Sequence, residues 1–353
     1  MRSSIYPESN GSLRFPPIRY SVKPQATSSM IELLTAIWQR VLQLPSIGVD
    51  DDFFDLGGDS SLALQLFNEI AQVFGRELPP VTIYQARTIA ALAALLEQPT
   101  TPRFPALVLL KDGASKPPVF LAHGLGGSVM DFFQPLRLIE SDHPIYGMQS
   151  KGIDGIDEPL ECIEDMAEFH IKAIRELQPH GPYILIGYSL GGLVALEMAQ
   201  RLLAAGEQTA LLAMIDAYPH LRYLSLGQRV RLIARQARRG LHSLGNLRGG
   251  EPYQPPAGVS LTPAMQRVRD GAFLALTRYQ PRFYPGKIKF VRAGISSGFP
   301  DNAAAVWSGL TEKFEVKTVP GDHLGIITTH FESLAAVLSG FLKETFADIS
   351  VRQ

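Results

Sequence analysis

The stretch ILIGYSLGG at 184–192 constrains the fold of this chain more than any other. The residues YILI just before its first glycine predict a short buried strand, and LVALEMAQRLLAA after its last has the apolar spacing of a helix. Ser189 stands at the turn between them, flanked by Gly187 and Gly191 in a G-x-S-x-G pattern. A strand that turns at once into a helix needs small residues there. The pattern therefore predicts a serine nucleophile, with an N-cap serine as the alternative.

Strand and helix patterns alternate through the rest of this region, which predicts an α/β domain over residues 109–350. Such alternation indicates a mainly parallel sheet with helices on both faces, and the active site of such a sheet lies at the carboxyl ends of its strands. Besides the strand before Ser189, the predicted strands are PVFLAH (118–123), PIYGMQ (144–149), ALLAMID (210–216), KIKFVRA (287–293) and FEVKTVP (314–320), and helices are predicted around 162–177 and from about 331.

A serine nucleophile needs a base and an acid that orients the base, and each is expected just after a strand. His323, in PGDHLG after the last strand, is the predicted base, with His330 as the alternative in the same loop. Asp216 ends ALLAMID and is the predicted acid, with Asp301 as the alternative after the next strand. The order serine, aspartate, histidine is that of the α/β-hydrolase arrangement.

The glycine-rich loop HGLGG at 123–127 follows the first predicted strand of this domain. Its glycines allow backbone amides to point into the site, so the amides of Leu125 and Leu190 are predicted to form an oxyanion hole. His123 comes too early in chain order for the base, and we interpret it as a residue that shapes the loop. The lone thiol of Cys162 makes no metal site, and no metal is expected.

The first third of the chain predicts a small helical domain at 28–98, after a disordered leader or linker at 1–27. A capping box of Ser29 and Glu32 precedes the helical run MIELLTAIWQRVLQL. Further helices are expected in LALQLFNEIAQVF and, capped by Thr88, in IAALAALLEQ. Nine acidic and three basic residues give this segment a net charge of −6, which suits a basic partner, although any solvated bundle can carry an acidic surface.

The loop before the second predicted helix, DDFFDLGGDSS at 51–61, resembles the signature of acyl and peptidyl carrier domains. In that family a serine at the start of the helix carries a covalent 4'-phosphopantetheine arm, and the match places the attachment on Ser60. Ser61 stands where the family usually has an apolar residue. The residues alone leave open that Asp59 and Ser60 only cap a helix after a glycine turn. The resemblance implies a phosphopantetheinyl transferase as a partner.

Together, AHGLGGS, GYSLGG, Asp216 and GDHLG resemble the thioesterase domains that end nonribosomal peptide synthetases. With the carrier, the resemblance covers nearly all of residues 28–350. It implies that an acyl or peptidyl thioester passes from Ser60 to Ser189 and is released by hydrolysis or cyclisation, in nonribosomal peptide or hybrid polyketide biosynthesis. Upstream synthetase domains, or an adenylation or condensation enzyme acting in trans, would load the carrier. The alternatives are an acyltransferase that uses a separate amine or alcohol, and a carrier with a non-catalytic docking domain.

Residues 219–280 interrupt the alternation of strands and helices, and in similar thioesterases this region is a helical lid. Seven arginines and no acidic residue lie between 219 and 250. They suggest a binding site for an acidic carrier or for the phosphate of its arm. The charged face of a solvated helix is an equal alternative.

Composition argues against several other classes of protein. A net charge of −1 gives no basic excess for nucleic-acid binding, and no apolar run is long enough for a signal peptide or a membrane span. The single cysteine allows no internal disulfide, which fits a reducing, cytoplasmic compartment. EQPTTPRFPA at 97–106 is rich in proline and threonine and lacks periodicity, so a linker is predicted at 99–108.

Overall fold

The computed structural model describes residues 28–98, 103–114, 116–238, 262–295, 300 and 302–352. They divide into two compact units, one at 103–342 and one that holds residues 28–98 and the end of the last helix. The predicted leader at 1–27, the first part of the predicted linker and the middle of the predicted lid lie outside the described residues.

Residues 28–98 of the first unit form three α-helices, α1 (Ser28–Leu42), α2 (Ser60–Phe74) and α3 (Ile89–Leu96), with a 3-10 helix at Pro80–Tyr84 before α3. Their apolar faces meet in a core where the rings of Trp38 and Phe53 pack edge to face, with their centroids 5.3 Å apart. Helix α1 already includes Ser28, and the Ser28 hydroxyl donates to Glu32 Oε1 at 3.0 Å. The serine that contacts Glu32 is therefore one residue earlier than the capping pattern predicts.

The second unit is built on a sheet whose described strands follow the order β1-β3-β2-β4-β5-β6-β7. Strand β1 is antiparallel to β3, and every other neighbouring pair is parallel. The strands are β1 (Leu107–Lys111), β2 (Val119–Ala122), β3 (Ile145–Met148), β4 (Tyr183–Tyr188), β5 (Thr209–Ile215), β6 (Tyr284–Ala293) and β7 (Thr311–Val319). This mainly parallel sheet confirms the predicted α/β fold. The sequence patterns do not predict β1, because its five residues follow a proline-rich stretch without periodicity.

Helices pack against this sheet, and the core of the unit lies where α6 meets the central strands. Helix α6 contacts β4, β5 and the neighbouring α5, and every residue of β4 is buried. The helices of the unit are α4 (Phe133–Leu138), α5 (Ile163–Leu177), α6 (Leu190–Ala204), α7 (Leu226–Arg238), α8 (Pro263–Arg278), α9 (Ala303–Trp307), α10 (Gly325–Thr328) and α11 (Phe331–Arg352), which extends beyond it. Within the described ranges, no helix has both the length and the apolarity needed to cross a lipid bilayer.

Helices α7 and α8 lie in the insertion at 219–280, for which the resemblance to thioesterases implies a helical lid. Arg222 Nη1 donates to the carbonyl of Thr277 at 3.3 Å, and Arg229 Nε donates to the carbonyl of Leu224 at 2.9 Å. These two arginines therefore hydrogen bond to the backbone of the insertion itself. The side chains of the other five arginines lie outside those described. The predicted binding site for an acidic carrier or a phosphate therefore stays a prediction.

Candidate active site

Ser189 and Asp216 follow two neighbouring strands whose ends are in register. Tyr188 at the end of β4 pairs with Ile215 at the end of β5, and the backbone N–H of Ser189 donates to the carbonyl of Ile215 at 2.8 Å. Because the carboxyl ends of parallel strands meet at one edge of the sheet, the serine and the aspartate lie side by side there.

The backbone at Ser189 has φ 54° and ψ −120°, a conformation that L-residues rarely adopt. Such a residue costs about 1–3 kcal/mol and persists only where its surroundings impose it. Here the surroundings are close-packed backbone. A Cβ at Gly187 would lie 2.1 Å from the carbonyl oxygen of Gly191, and a Cβ at Gly191 would lie 2.2 Å from the carbonyl oxygen of His123. The two glycines of the G-x-S-x-G pattern are therefore required by contact.

Asp216 also has a positive φ, 44°, and it extends the ladder between β5 and β6. Its backbone N–H donates to the carbonyl of Val291 at 2.7 Å, and its side-chain Oδ1 accepts from the N–H of Ala293 at 3.0 Å. The other carboxylate oxygen, Oδ2, lies 2.8 Å from His323 Nδ1. The side chain of Asp216 is 4% exposed, so it reaches His323 from inside the protein.

His323 connects Asp216 to Ser189. Its Nε2 lies 3.0 Å from Ser189 Oγ, and its side chain is 18% exposed, so the ring is less buried than the Asp216 carboxylate. A carboxylate can only accept, so Nδ1 carries the hydrogen, and in the neutral ring the lone pair of Nε2 faces the serine hydroxyl. The structure thus brings Ser189, Asp216 and His323 into one hydrogen-bonded series. The alternative acid, Asp301, lies outside the described residues.

His330, the alternative base, lies on the other side of the same loop. A Cβ at Gly321 would lie 2.4 Å from its Cδ2 atom, and its backbone N–H donates to the carbonyl of Gly325 at 2.7 Å. His330 therefore packs against the loop that carries His323, and it is the His323 ring that contacts Ser189.

The HGLGG loop forms a tight turn in which the carbonyl of Gly124 accepts from the N–H of Gly127 at 3.2 Å. The same carbonyl lies 2.7 Å from His123 Nδ1, which must donate, because a carbonyl has no hydrogen to give. The C=O and N–H of a trans peptide point in opposite directions, so these bonds set the direction of the Leu125 N–H. The N–H of Leu190, in the first turn of α6, has no acceptor within its own helix.

Two buried histidines lie behind this loop. The rings of His123 and His170 are 6.0 Å apart between centroids, and both side chains are buried. Burial lowers the pKa of His123, and burial together with the neighbouring His123 lowers the pKa of His170 to about 3. Both rings are therefore neutral near pH 7, and His123 is the loop-shaping residue that the sequence predicts.

Two residues near the site are not singled out by the sequence patterns. Tyr188 contacts His323, and His170 contacts His123. Tyr188 occupies a variable position of the G-x-S-x-G pattern, and His170 looks like any residue on the apolar face of α5. A histidine on an otherwise apolar helical face is the one signal that could have drawn attention to His170.

In the first unit, the predicted attachment serine is the first residue of α2. Asp59 caps this helix, and its Oδ1 accepts from the N–H of Leu62 at 2.9 Å. Gly57 has φ +91°, and a Cβ at Gly58 would lie 2.3 Å from the Phe53 ring, so both glycines are needed for the turn into the helix. A helix N-terminus attracts a phosphate group. This arrangement fits a phosphodiester on Ser60.

Two protein-family models match the chain. One, described as "Thioesterase domain", covers residues 117–342, which is more than half of the chain. The other, described as "Phosphopantetheine attachment site", covers residues 32–96. The second match supports a covalent 4'-phosphopantetheine group and implies a phosphopantetheinyl transferase as a partner.

Curated relatives are similar to more than half of the chain. A dimodular nonribosomal peptide synthase of Bacillus subtilis is 43% identical over 190 residues, which are 54% of this chain and 8% of that protein. Malpibaldin synthetase of Mortierella alpina is 30% identical over 266 residues, which are 74% of this chain and 5% of that protein. The matched residues thus cover less than a tenth of the length of these relatives.

Among solved structures, a four-domain nonribosomal peptide synthetase bound to AMP and glycine is similar in fold, with a TM-score of 0.56 and 23% sequence identity. The similarity covers 88% of this chain and 26% of that one. The sheet, the serine at the strand-to-helix turn and the two family matches agree with one another. The chain belongs to the thioesterase domain family of α/β-hydrolase fold, and it carries a phosphopantetheine attachment domain ahead of the thioesterase domain.

Proposed function

We propose that this chain is a carrier and thioesterase didomain that releases an acyl or peptidyl group in nonribosomal peptide or hybrid polyketide biosynthesis. The observation that carries the proposal is the series from Ser189 through His323 to Asp216, with distances of 3.0 and 2.8 Å. It lies at the carboxyl ends of the strands, where ligands bind in folds of this kind. The similarity to synthetases supports the biosynthetic setting.

In this proposal, Ser189 Oγ attacks the carbonyl carbon of a thioester while His323 Nε2 takes the serine proton. Asp216 holds the ring in the required tautomer and stabilises the imidazolium. The amides of Leu125 and Leu190 donate to the oxyanion. The carbon–sulfur bond then breaks, the proton passes from His323 to the departing sulfur, and an ester with Ser189 remains. Water or a nucleophile within the acyl chain attacks that ester, again with His323 as the base.

Ser60 is the proposed attachment point of the carrier arm. When bound there, 4'-phosphopantetheine supplies a terminal thiol that holds the acyl group as a thioester. Asp59 caps the helix that begins at Ser60, and the first-turn amides of that helix favour the phosphate. We propose that the carrier is loaded by upstream synthetase domains or by an adenylation or condensation enzyme in trans. A cytoplasmic location, which the single cysteine favours, is part of the proposal.

The test follows the acyl group on the full chain. The phosphopantetheinylated protein is loaded with a panel of aminoacyl and short peptidyl groups, and its intact mass is followed with time. We compare the wild type with Ser189→Ala and with Ser308→Ala, which removes an exposed hydroxyl outside the site. We expect the acyl mass to be lost from the wild type and from Ser308→Ala but kept by Ser189→Ala, with a free acid or a cyclic product in solution.

Other outcomes distinguish the competing functions. If the acyl group persists equally in all three proteins, release is contradicted for those substrates, and added amines and alcohols then test transfer to an external acceptor. A fluorophosphonate provides the second assay, because it labels an activated serine stoichiometrically. No labelling of Ser189 in the wild type would favour the non-catalytic docking domain.

A further inference from the structure

Tyr188, the residue immediately before Ser189, contacts His323 in two ways. Its hydroxyl donates to the backbone carbonyl of His323 at 2.7 Å. Its ring also stacks on the imidazole, with the centroids 5.0 Å apart and the planes 23° from parallel. One side chain therefore contacts both the backbone and the ring face of the same histidine.

These contacts matter because His323 comes from a distant part of the sheet. It lies four residues beyond the end of β7 at Val319, and β5 and β6 separate β7 from β4, the strand that carries Tyr188. The loop after β7 must therefore reach across two strands to place the ring beside Ser189. Tyr188 is a direct link between the strand of the serine and the loop of the histidine.

Tyr188 is itself held in place. Its side chain is buried, and the ring of Phe132 packs edge to face on it with the centroids 6.0 Å apart at 89°. Phe132 is buried as well. A tyrosine fixed in this way can restrain the loop after β7, because a restraint is only as rigid as its own support.

The contacts of the His323 ring divide into two kinds. Asp216 and Ser189 bind the two nitrogens at the ring edge, and Tyr188 covers one face. An aromatic face attracts a cation, so a stacked phenol favours the imidazolium that forms when the serine proton is transferred. Of the neighbouring carboxylates, Asp216 binds the ring, whereas Asp322 Oδ1 accepts from the N–H of Gly325 at 2.7 Å.

We propose that Tyr188 is a positioning residue for the thioesterase reaction: its hydroxyl holds the backbone of His323, and its ring holds and stabilises the imidazole in the orientation that serves Ser189. This inference rests on the proposed function, in which His323 is the base. It adds a residue that acts through its contacts with His323.

Two substitutions separate the two contacts. Tyr188→Phe keeps the ring and removes the hydroxyl, and Tyr188→Leu removes both. The matched control is Tyr183→Phe in the same strand, because the Tyr183 hydroxyl also bonds to backbone carbonyls, those of Gln178 and Pro179 at 3.1 and 3.0 Å, at the opposite end of β4. The full chain is assayed with a soluble acyl thioester, and kcat/KM is measured from pH 5 to 9 per serine labelled by a fluorophosphonate.

We expect Tyr188→Phe to lower kcat/KM about 10-fold, the effect of one lost hydrogen bond on the placement of the base. Tyr188→Leu should lower it about 100-fold, because His323 then loses both the hydrogen bond to its backbone and the aromatic ring on its imidazole face. Tyr183→Phe should match the wild type across this pH range.

A purely structural role for Tyr188 predicts a different result. Fewer serines would then be labelled, while kcat/KM per labelled serine would stay at the wild-type value, and that outcome overturns the inference. Wild-type rates for both Tyr188 variants would overturn it as well. A wild type that neither turns over thioesters nor reacts with the phosphonate would instead contradict the proposed function, so the two failures are distinguishable.

Discussion

The side-chain Oδ1 of Asp216 accepts a hydrogen bond from the backbone amide of Ala293 at 3.0 Å. This bond fixes the rotation of the carboxylate, because Ala293 ends β6 and cannot move without the sheet. Only the second oxygen, Oδ2, is left to face His323, at 2.8 Å. Strand β6 therefore orients Asp216 so that Oδ2 accepts from His323 Nδ1, which keeps the ring hydrogen on that nitrogen.

Asp216→Asn tests this relationship. An amide is almost the same size as the carboxylate, but it can donate to Nδ1 and so favour the tautomer that carries its hydrogen on Nε2, where it cannot take the serine proton. We expect kcat for a soluble acyl thioester to fall by about 10²- to 10⁴-fold. Asp301→Asn, the change at the alternative acid, should retain activity. Loss of activity in Asp301→Asn with a functional Asp216→Asn would assign the acid to Asp301.

A comparison of alanine variants at Ser60 and Ser61 tests which serine carries the phosphopantetheine. After incubation with a phosphopantetheinyl transferase and coenzyme A, the wild type and Ser61→Ala should each gain the mass of one phosphopantetheine, and Ser60→Ala should gain none. Ser60→Ala should still cleave a soluble acyl thioester, because Ser189 belongs to the other unit. Intact-mass spectrometry checks the first result and a thiol assay checks the second. A mass gain in Ser60→Ala that is lost in Ser61→Ala would move the attachment to Ser61.

The close packing at the strand-to-helix turn predicts that one added methyl group lowers both stability and activity. In Gly191→Ala the new Cβ would lie 2.2 Å from the carbonyl oxygen of His123 and 2.6 Å from that of Ala122, and neither backbone atom can move freely. We expect a loss of about 1–3 kcal/mol in stability from overpacking. We also expect at least about a 100-fold loss of activity, because the serine and the oxyanion amides are displaced together.

Gly340→Ala is the matched control for that change. Gly340 lies within α11, and a Cβ there would meet no atom within 4 Å. Alanine is favoured over glycine inside a helix, so this variant should gain about 0.5–1 kcal/mol. Thermal unfolding and turnover of a soluble acyl thioester measure both variants. A Gly191→Ala protein with wild-type stability and rate would contradict the packing at the turn.

The low pKa of the buried His170 predicts how the stability of the fold depends on pH. Its pKa in the folded chain is about 3, while an unfolded histidine titrates near 6.5. Below pH 6.5 the unfolded chain therefore binds a proton that the folded chain does not, and stability falls with pH until the folded pKa is reached. Between pH 7 and pH 5 this one group should remove about 2 kcal/mol from the free energy of unfolding.

His170→Leu should abolish that part of the pH dependence. The free energy of unfolding in urea is followed by the fluorescence of Trp307, which lies in the thioesterase unit, in a Trp38→Phe background. The loss between pH 7 and pH 5 should be about 2 kcal/mol smaller in His170→Leu than in its parent. Met166→Leu, a buried position one turn earlier in α5, changes no titrating group and should leave the loss unchanged. Equal pH dependence in His170→Leu and its parent would contradict a neutral, buried ring.

The sequence by itself determined the features that are properties of short stretches of chain. The serine at the strand-to-helix turn, the strands of the core and the carrier helix that begins at Ser60 follow from glycine spacing, apolar periodicity and capping chemistry, which act over a few residues. The same signals are absent from β1. This segment forms a strand because it pairs with β3, about 40 residues further along the chain.

Only the tertiary structure decided which polar residues meet. His323 lies 134 residues from Ser189 and 107 from Asp216, and sequence order alone left His330 open as the base. It also gave no reason to connect Tyr188 with His323 or His170 with His123. Such pairs depend on strand order, register and the path of the loop after β7, which are set when distant elements pack together. Local patterns carry no record of those contacts, because they arise only in the folded chain.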